Sequence, residues 1–128
     1  MKIKTKIIGN KVHDVGYRVF LLRKALELGM GRFNAYNTKV NGVQVLISFL
    51  DGDSDQISTF QNYVQNNRPE NADISDIIFE DYAGHVIGIV DYMHLIQVEQ
   101  TQQFGRSNII LPLGIQHFHL QMASVALR

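Results

Sequence analysis

The stretch Gly9-Asn10-Lys11-Val12-His13-Asp14-Val15-Gly16-Tyr17-Arg18 brings glycine, an aromatic ring and an arginine to the start of a helical pattern. Residues of these types suit an anion. Gly16 lets a ligand approach the main chain closely, and consecutive amides ahead of a helix can converge on one oxyanion. Arg18 adds a planar guanidinium that matches phosphate geometry and stays charged at any working pH. On spacing alone, an ordinary strand-to-helix turn with a surface arginine is the simpler reading, because short glycine motifs are common. Asp14 opposes an anion, unless its carboxylate points to solvent or His13 pairs with it. If its position needs a positive φ, an aspartate tolerates that better than most residues do.

Other constellations offer less chemistry. His117 and His119 stand two apart, on different faces of a helix, and His85 and His94 lack partners at ligand spacing, so no metal site is expected. Asp51, Asp53 and Asp55 alternate, but Gly52 is misplaced for a calcium loop and no glutamate closes one, which leaves helix capping. No serine or threonine sits in a nucleophile elbow. Tyr17 and Phe20 beside lysines read as packing rather than as a nucleic-acid platform.

The elements that must position the loop follow from periodicity. Lys2 to Ile8 alternates lysine with isoleucine, a half-buried strand. Val19, Leu22 and Leu26 predict a helix over 17–28, with Gly29 to end it. Arg32 to Lys39 alternates, with Phe33, Ala35 and Asn37 on one face. Asn41-Gly42 is a hairpin turn into a strand bearing Val43, Val45, Ile47 and Phe49. Ile57, Phe60 and Val64 mark a second helix, ended by Arg68-Pro69, and Ile74 to Tyr82 is a last strand. This order gives an α+β fold, a ferredoxin-like βαββαβ sandwich with an antiparallel four-stranded sheet and both helices on one face. The other face is too apolar to stand open.

Residues 1–84 are therefore expected as one domain and 85–128 as a helical C-terminal extension, packing on the sheet or on a partner subunit. Ile89 to Gln103 predicts one helix, stopped near Gly105. Ser107 would cap another, with Leu111, Ile115, Phe118, Met122 and Val125 in a stripe and Pro112 in its first turn. Such a stripe points to a homo-oligomer.

Composition narrows the functional classes. The 128 residues contain no cysteine, which excludes disulfides and thiolate metal ligands and suits a cytoplasmic protein. No apolar run approaches a membrane span, and the alternating lysines of the first residues do not resemble a signal peptide. The net charge of zero hides an asymmetry: residues 1–50 carry nine Lys/Arg against Asp14 and Glu27, whereas residues 51–100 carry Arg68 against ten acids. A basic first half can draw an anion, while the zero total argues against a general nucleic-acid binder.

Gly9, Val12, Val15, Gly16, Tyr17 and Arg18 resemble the acylphosphatase signature, usually G-x-V-Q-G-V-x-[FY]-R. The likeness runs through the βαββαβ order over residues 2–82, with Leu28-Gly29 closing the first helix and Asn37-Thr38 on the second strand. His13 stands where the family has glutamine and Asp14 where it has glycine. The interval from Gly29 to Asn37 is one residue longer than usual, which keeps Asn34 as an alternative to Asn37. The resemblance implies hydrolysis of an acyl phosphate with no metal, cofactor or covalent intermediate. Arg18 would hold the phosphate with the loop amides of His13, Asp14, Val15, Gly16 and Tyr17, and Asn37 would orient a water for in-line attack on phosphorus. The other reading is a non-catalytic module on the same fold, binding an anion or assembling oligomers.

Overall fold

Alternating lysine and isoleucine make Lys2–Lys11 a strand, β1, that buries Ile3, Thr5 and Ile7 while its lysines take the opposite face. The computed structural model describes residues 1–105, with side chains through Glu99. After β1 come α1 (Tyr17–Glu27), β2 (Arg32–Val40), β3 (Val43–Asp51), α2 (Ser54–Asn66), β4 (Asp73–Asp81) and α3 (Ile89–Gly105). The helix expected from Ser107 lies outside the described residues.

The strands form one sheet in the order β2-β3-β1-β4, and all three neighbouring pairs are antiparallel. This is the ferredoxin-like arrangement that the order of elements calls for. Asn41 and Gly42, both at positive φ, turn β2 into β3 with Val40 opposite Val43. Register slips where β1 meets β4, on either side of Gly9. A Cβ on Gly9 would stand 2.1 Å from the carbonyl oxygen of Asp73, so only glycine fits this close strand approach.

Helices cover one face. α1 buries Tyr17, Leu21, Leu22 and Ala25, while Leu26 is 43% exposed. The buried stripe is thus rotated from the Val19, Leu22 and Leu26 face that the spacing suggests, because the chain enters α1 with the Tyr17 ring already in the core. α2 starts in a capping box, Asp53 accepting from the Gln56 amide and the Gln56 side chain accepting from the Asp53 amide, and buries Ile57, Phe60 and Val64 as expected.

α3 joins this layer at the outer edge of β2. The chain first runs beside β2, where the Phe33 amide donates to Ile87 O, the Ile89 amide to Gly31 O, and Arg32 Nη1 to Val86 O. The Tyr92 hydroxyl then donates to Ala35 O at 2.7 Å, and its ring meets Phe33 edge-on at 5.3 Å. Ile89, Tyr92, Leu95 and Ile96 share one apolar core with Leu21, Phe33, Leu46 and Phe60. On the opposite face of the sheet Tyr36, Phe49 and Tyr82 pack together, leaving Phe49 buried. Among the described residues no helix is long and apolar enough to cross a membrane, and no three His, Asp or Glu side chains gather as metal ligands would.

Candidate functional site

The segment between β1 and α1 turns through two left-handed residues, Asp14 at φ 58° and Gly16 at φ 74°. Left-handed and right-handed residues in succession curl a chain so that its amides face inward, which makes a concave nest for an anion. The position of Asp14 is one that glycine fills without strain; aspartate tolerates it better than most residues. Its side chain is exposed.

One side chain holds the loop to the sheet. Gln44, on β3, accepts through Oε1 from the amides of Val12 at 2.9 Å and His13 at 3.0 Å. The His13 ring lies at hydrogen-bond distance from the neighbouring strand carbonyl, with Nε2 3.1 Å from Val45 O. His13 therefore braces the loop on β3 instead of pairing with Asp14. The amides of Val12 and His13 are committed to Gln44, so the donors left for a ligand belong to the second half of the loop and the first turn of α1.

That first turn is open. Gly16 is the N-cap and no side chain caps the helix. An α-helix leaves its first amides without intrahelical partners and carries a partial positive charge at this end. A cleft of about 300 Å³ lies here, lined by Val12, Asp14, Gly16, Tyr17, Arg18, Val19 and Asn37. The cleft brings together Arg18, Asn37, Asp14, Gly16 and Tyr17. Val15 packs against the core instead, and His13 turns to β3.

Asn37 reaches the cleft because it shares the helix-covered face of β2 with Phe33 and Ala35. Its Oδ1 is buried and has no hydrogen-bond partner. A buried carboxamide oxygen without a partner is uncommon, since desolvation of such an atom is unfavourable unless something bonds to it. Asn34 alternates onto the other face of the sheet and does not line the cleft. The Tyr17 hydroxyl is likewise buried without a partner, and burial pushes its pKa up to about 12, with the Arg68 charge acting in the opposite direction.

Arg18 is already engaged. Its Nη1 lies 2.6 Å from Oε2 of Glu99, and each side chain is 29% exposed. Glu99 comes from α3, seven residues beyond Tyr92 and so on the same helix face. Burial raises the Tyr92 phenol far above the ordinary tyrosine range; the Arg18 charge opposes the shift and the Glu99 charge adds to it.

Gln44 and Glu99 were not among the residues singled out by sequence. Gln44 reads as a polar residue in an alternating strand and gives no signal. Glu99 gives a weak one, being one of two acids, with Asp91, in an otherwise uncharged helical segment.

Comparison with known proteins follows the same outline. The sequence model of the acylphosphatase family matches residues 3–87. Among solved structures, an acylphosphatase from Bacillus subtilis is 20% identical with a TM-score of 0.48, over 66% of this chain and 92% of that one. An acylphosphatase from Coxiella burnetii is 20% identical at a TM-score of 0.47, over 66% and 83%. Full-length HypF in its phosphate- and nucleotide-bound form is 20% identical at a TM-score of 0.48, over 71% of this chain and 11% of that one. No curated protein matches the chain in sequence.

Proposed function

The chain belongs to the acylphosphatase family, and from that premise we propose that it hydrolyses acyl phosphates to a carboxylate and inorganic phosphate. The observation that carries this reading is the buried, partnerless Oδ1 of Asn37, a residue that lines the same cleft as Arg18 and the uncapped start of α1.

An acyl phosphate is a mixed anhydride whose carboxylate leaves readily, so its hydrolysis requires positioning and charge stabilisation more than strong acids or bases. Amides of the later loop and of the first turn of α1 hold the phosphoryl oxygens, and Arg18 adds its fork. Asn37 Oδ1 accepts a hydrogen bond from a water and aims its oxygen at phosphorus. The water oxygen bonds to phosphorus as the bond from phosphorus to the acyl oxygen breaks. The electron pair leaves with the carboxylate, and the water proton passes to a phosphoryl oxygen. Charge shifting onto the oxygens during transfer strengthens their bonds to Arg18 and the amides, which is the differential binding that accelerates the step. No step in this scheme calls on a metal or a cofactor.

Benzoyl phosphate hydrolysis by the wild type, Arg18→Ala and Asn37→Ala tests it. Activity in the wild type that falls at least a hundredfold in both variants is expected, roughly the effect of removing one preorganised transition-state contact. Equal background rates in all three proteins would remove the hydrolase.

A second reading has its own observation. The contact of Arg18 with Glu99 fits a non-catalytic module that binds an anion weakly or assembles with itself. Exposed Val90 and Met93 on α3, at 59% and 38%, support self-association through the C-terminal extension. Light scattering on the full chain measures that directly; a monomer would rule it out. Absence of cysteine is in keeping with a cytoplasmic setting.

A further inference from the structure

We propose that Glu99 is a competing anion built into the site, a carboxylate delivered by α3 that sets how tightly the cleft holds phosphate. The inference rests on the anion-binding reading above and adds a residue from beyond the segment matched by the family, which ends at residue 87.

Three observations carry it. The 2.6 Å contact puts a full negative charge on the guanidinium that the cleft offers to a ligand. At 29% exposure both partners are mostly removed from water, so salt and solvent screen the pair less than a surface ion pair. And the carboxylate is not free to wander. Tyr92, about two turns before Glu99 on the same helix face, is bonded to Ala35 O and packed on Phe33, and Leu95 and Ile96 lie in the core between them.

A guanidinium has five N–H donors, so a phosphate can share Arg18 with Glu99 or displace it. Sharing places two anions on one cation. A unit charge about 6 Å from phosphorus weakens binding by roughly a hundredfold at an effective dielectric near 20. With a third of each side chain exposed, about tenfold is the expected size after screening. A clamp that merely fixed the arginine would act in the opposite sense, since its loss would weaken binding.

The test is calorimetric titration of inorganic phosphate into the full chain and its Glu99→Gln and Arg18→Ala variants, with benzoyl phosphate kinetics alongside. Glutamine keeps the shape and hydrogen-bonding reach of glutamate, and unchanged melting confirms that the fold is kept. Expected are phosphate binding about tenfold tighter in Glu99→Gln, a KM lower by a similar factor with kcat little changed, and no binding in Arg18→Ala. Binding by Glu99→Gln that equals or falls below wild type overturns the inference; the hydrolase still stands if the wild type turns over benzoyl phosphate through Arg18. Tighter binding in Glu99→Gln without hydrolysis by any form upholds the inference and removes the hydrolase.

Discussion

Asp14→Gly separates strain from charge at the centre of the loop. Asp14 sits at φ 58°, where a Cβ is unfavourable by about 1 kcal/mol and less for aspartate than for most residues. Glycine relieves that strain but gains more freedom when unfolded, a destabilisation of roughly 0.5–1 kcal/mol. The two nearly cancel, so folding stability should move by less than about 0.5 kcal/mol. Charge does not cancel. A carboxylate about 6 Å from phosphorus repels each unit of phosphate charge by roughly 0.7 kcal/mol in water and about 3 kcal/mol at a dielectric of 20. Because the Asp14 side chain is exposed, the water-like value governs, giving about 1 kcal/mol for a partly screened phosphate dianion. That is roughly a fivefold fall in KM for benzoyl phosphate. The assay is initial-rate kinetics at low and at 0.5 M salt, with urea denaturation alongside, and the gain should shrink as salt screens the charge. A KM that does not fall, or falls equally at both salt concentrations, refutes electrostatic opposition by Asp14.

Gln44→Ala removes the acceptor shared by the Val12 and His13 amides; a loss of about 1–3 kcal/mol in urea unfolding is expected, together with a lower kcat/KM as the loop loosens. Tyr17→Phe deletes a buried hydroxyl without a partner, and its melting temperature should hold or rise, by the equivalent of up to about 1 kcal/mol. The same tyrosine predicts an alkaline limit. Its folded pKa of about 12 lies above the ordinary 10.0, so the unfolded chain loses the proton first. The stability it confers is complete below pH 10 and is lost as pH rises towards 12, by at most about 3 kcal/mol. Denaturation midpoints from pH 9 to 11.5 should fall less steeply in Tyr17→Phe than in wild type, and parallel curves would count against the buried phenol.

Much of the architecture was readable because its signals are local. Lysine and isoleucine alternate through β1, Asn41-Gly42 adopts the positive φ angles that a tight hairpin needs, and Asp53 with Gln56 closes a capping box within four residues. Asn37 could be placed on the helix side of β2 by counting in twos from Phe33. The rotation of α1 could not be read, since it depends on where the preceding loop delivers the Tyr17 ring. The partners that shape the cleft escaped for a related reason. Gln44 lies 32 residues from Val12, and Glu99 lies 81 from Arg18. Contacts over such separations leave no periodicity; they exist only once β3 lies beside β1 and α3 has settled against β2.

The docking of residues 86–92 along β2 also bears on how the protein behaves in a crowded solution. A sheet ends in two rows of main-chain donors and acceptors that can recruit a foreign strand and seed fibres. Here the first half of the β2 row is occupied by the chain itself, through Gly31, Phe33 and Ala35. The β4 row carries Asp73, Asp76, Glu80 and Asp81, whose like charges repel a second copy of the same strand. One margin is covered over its first half by packing and the other guarded by repulsion, so loosening α3 would lengthen the open part of the margin that has no acidic defence.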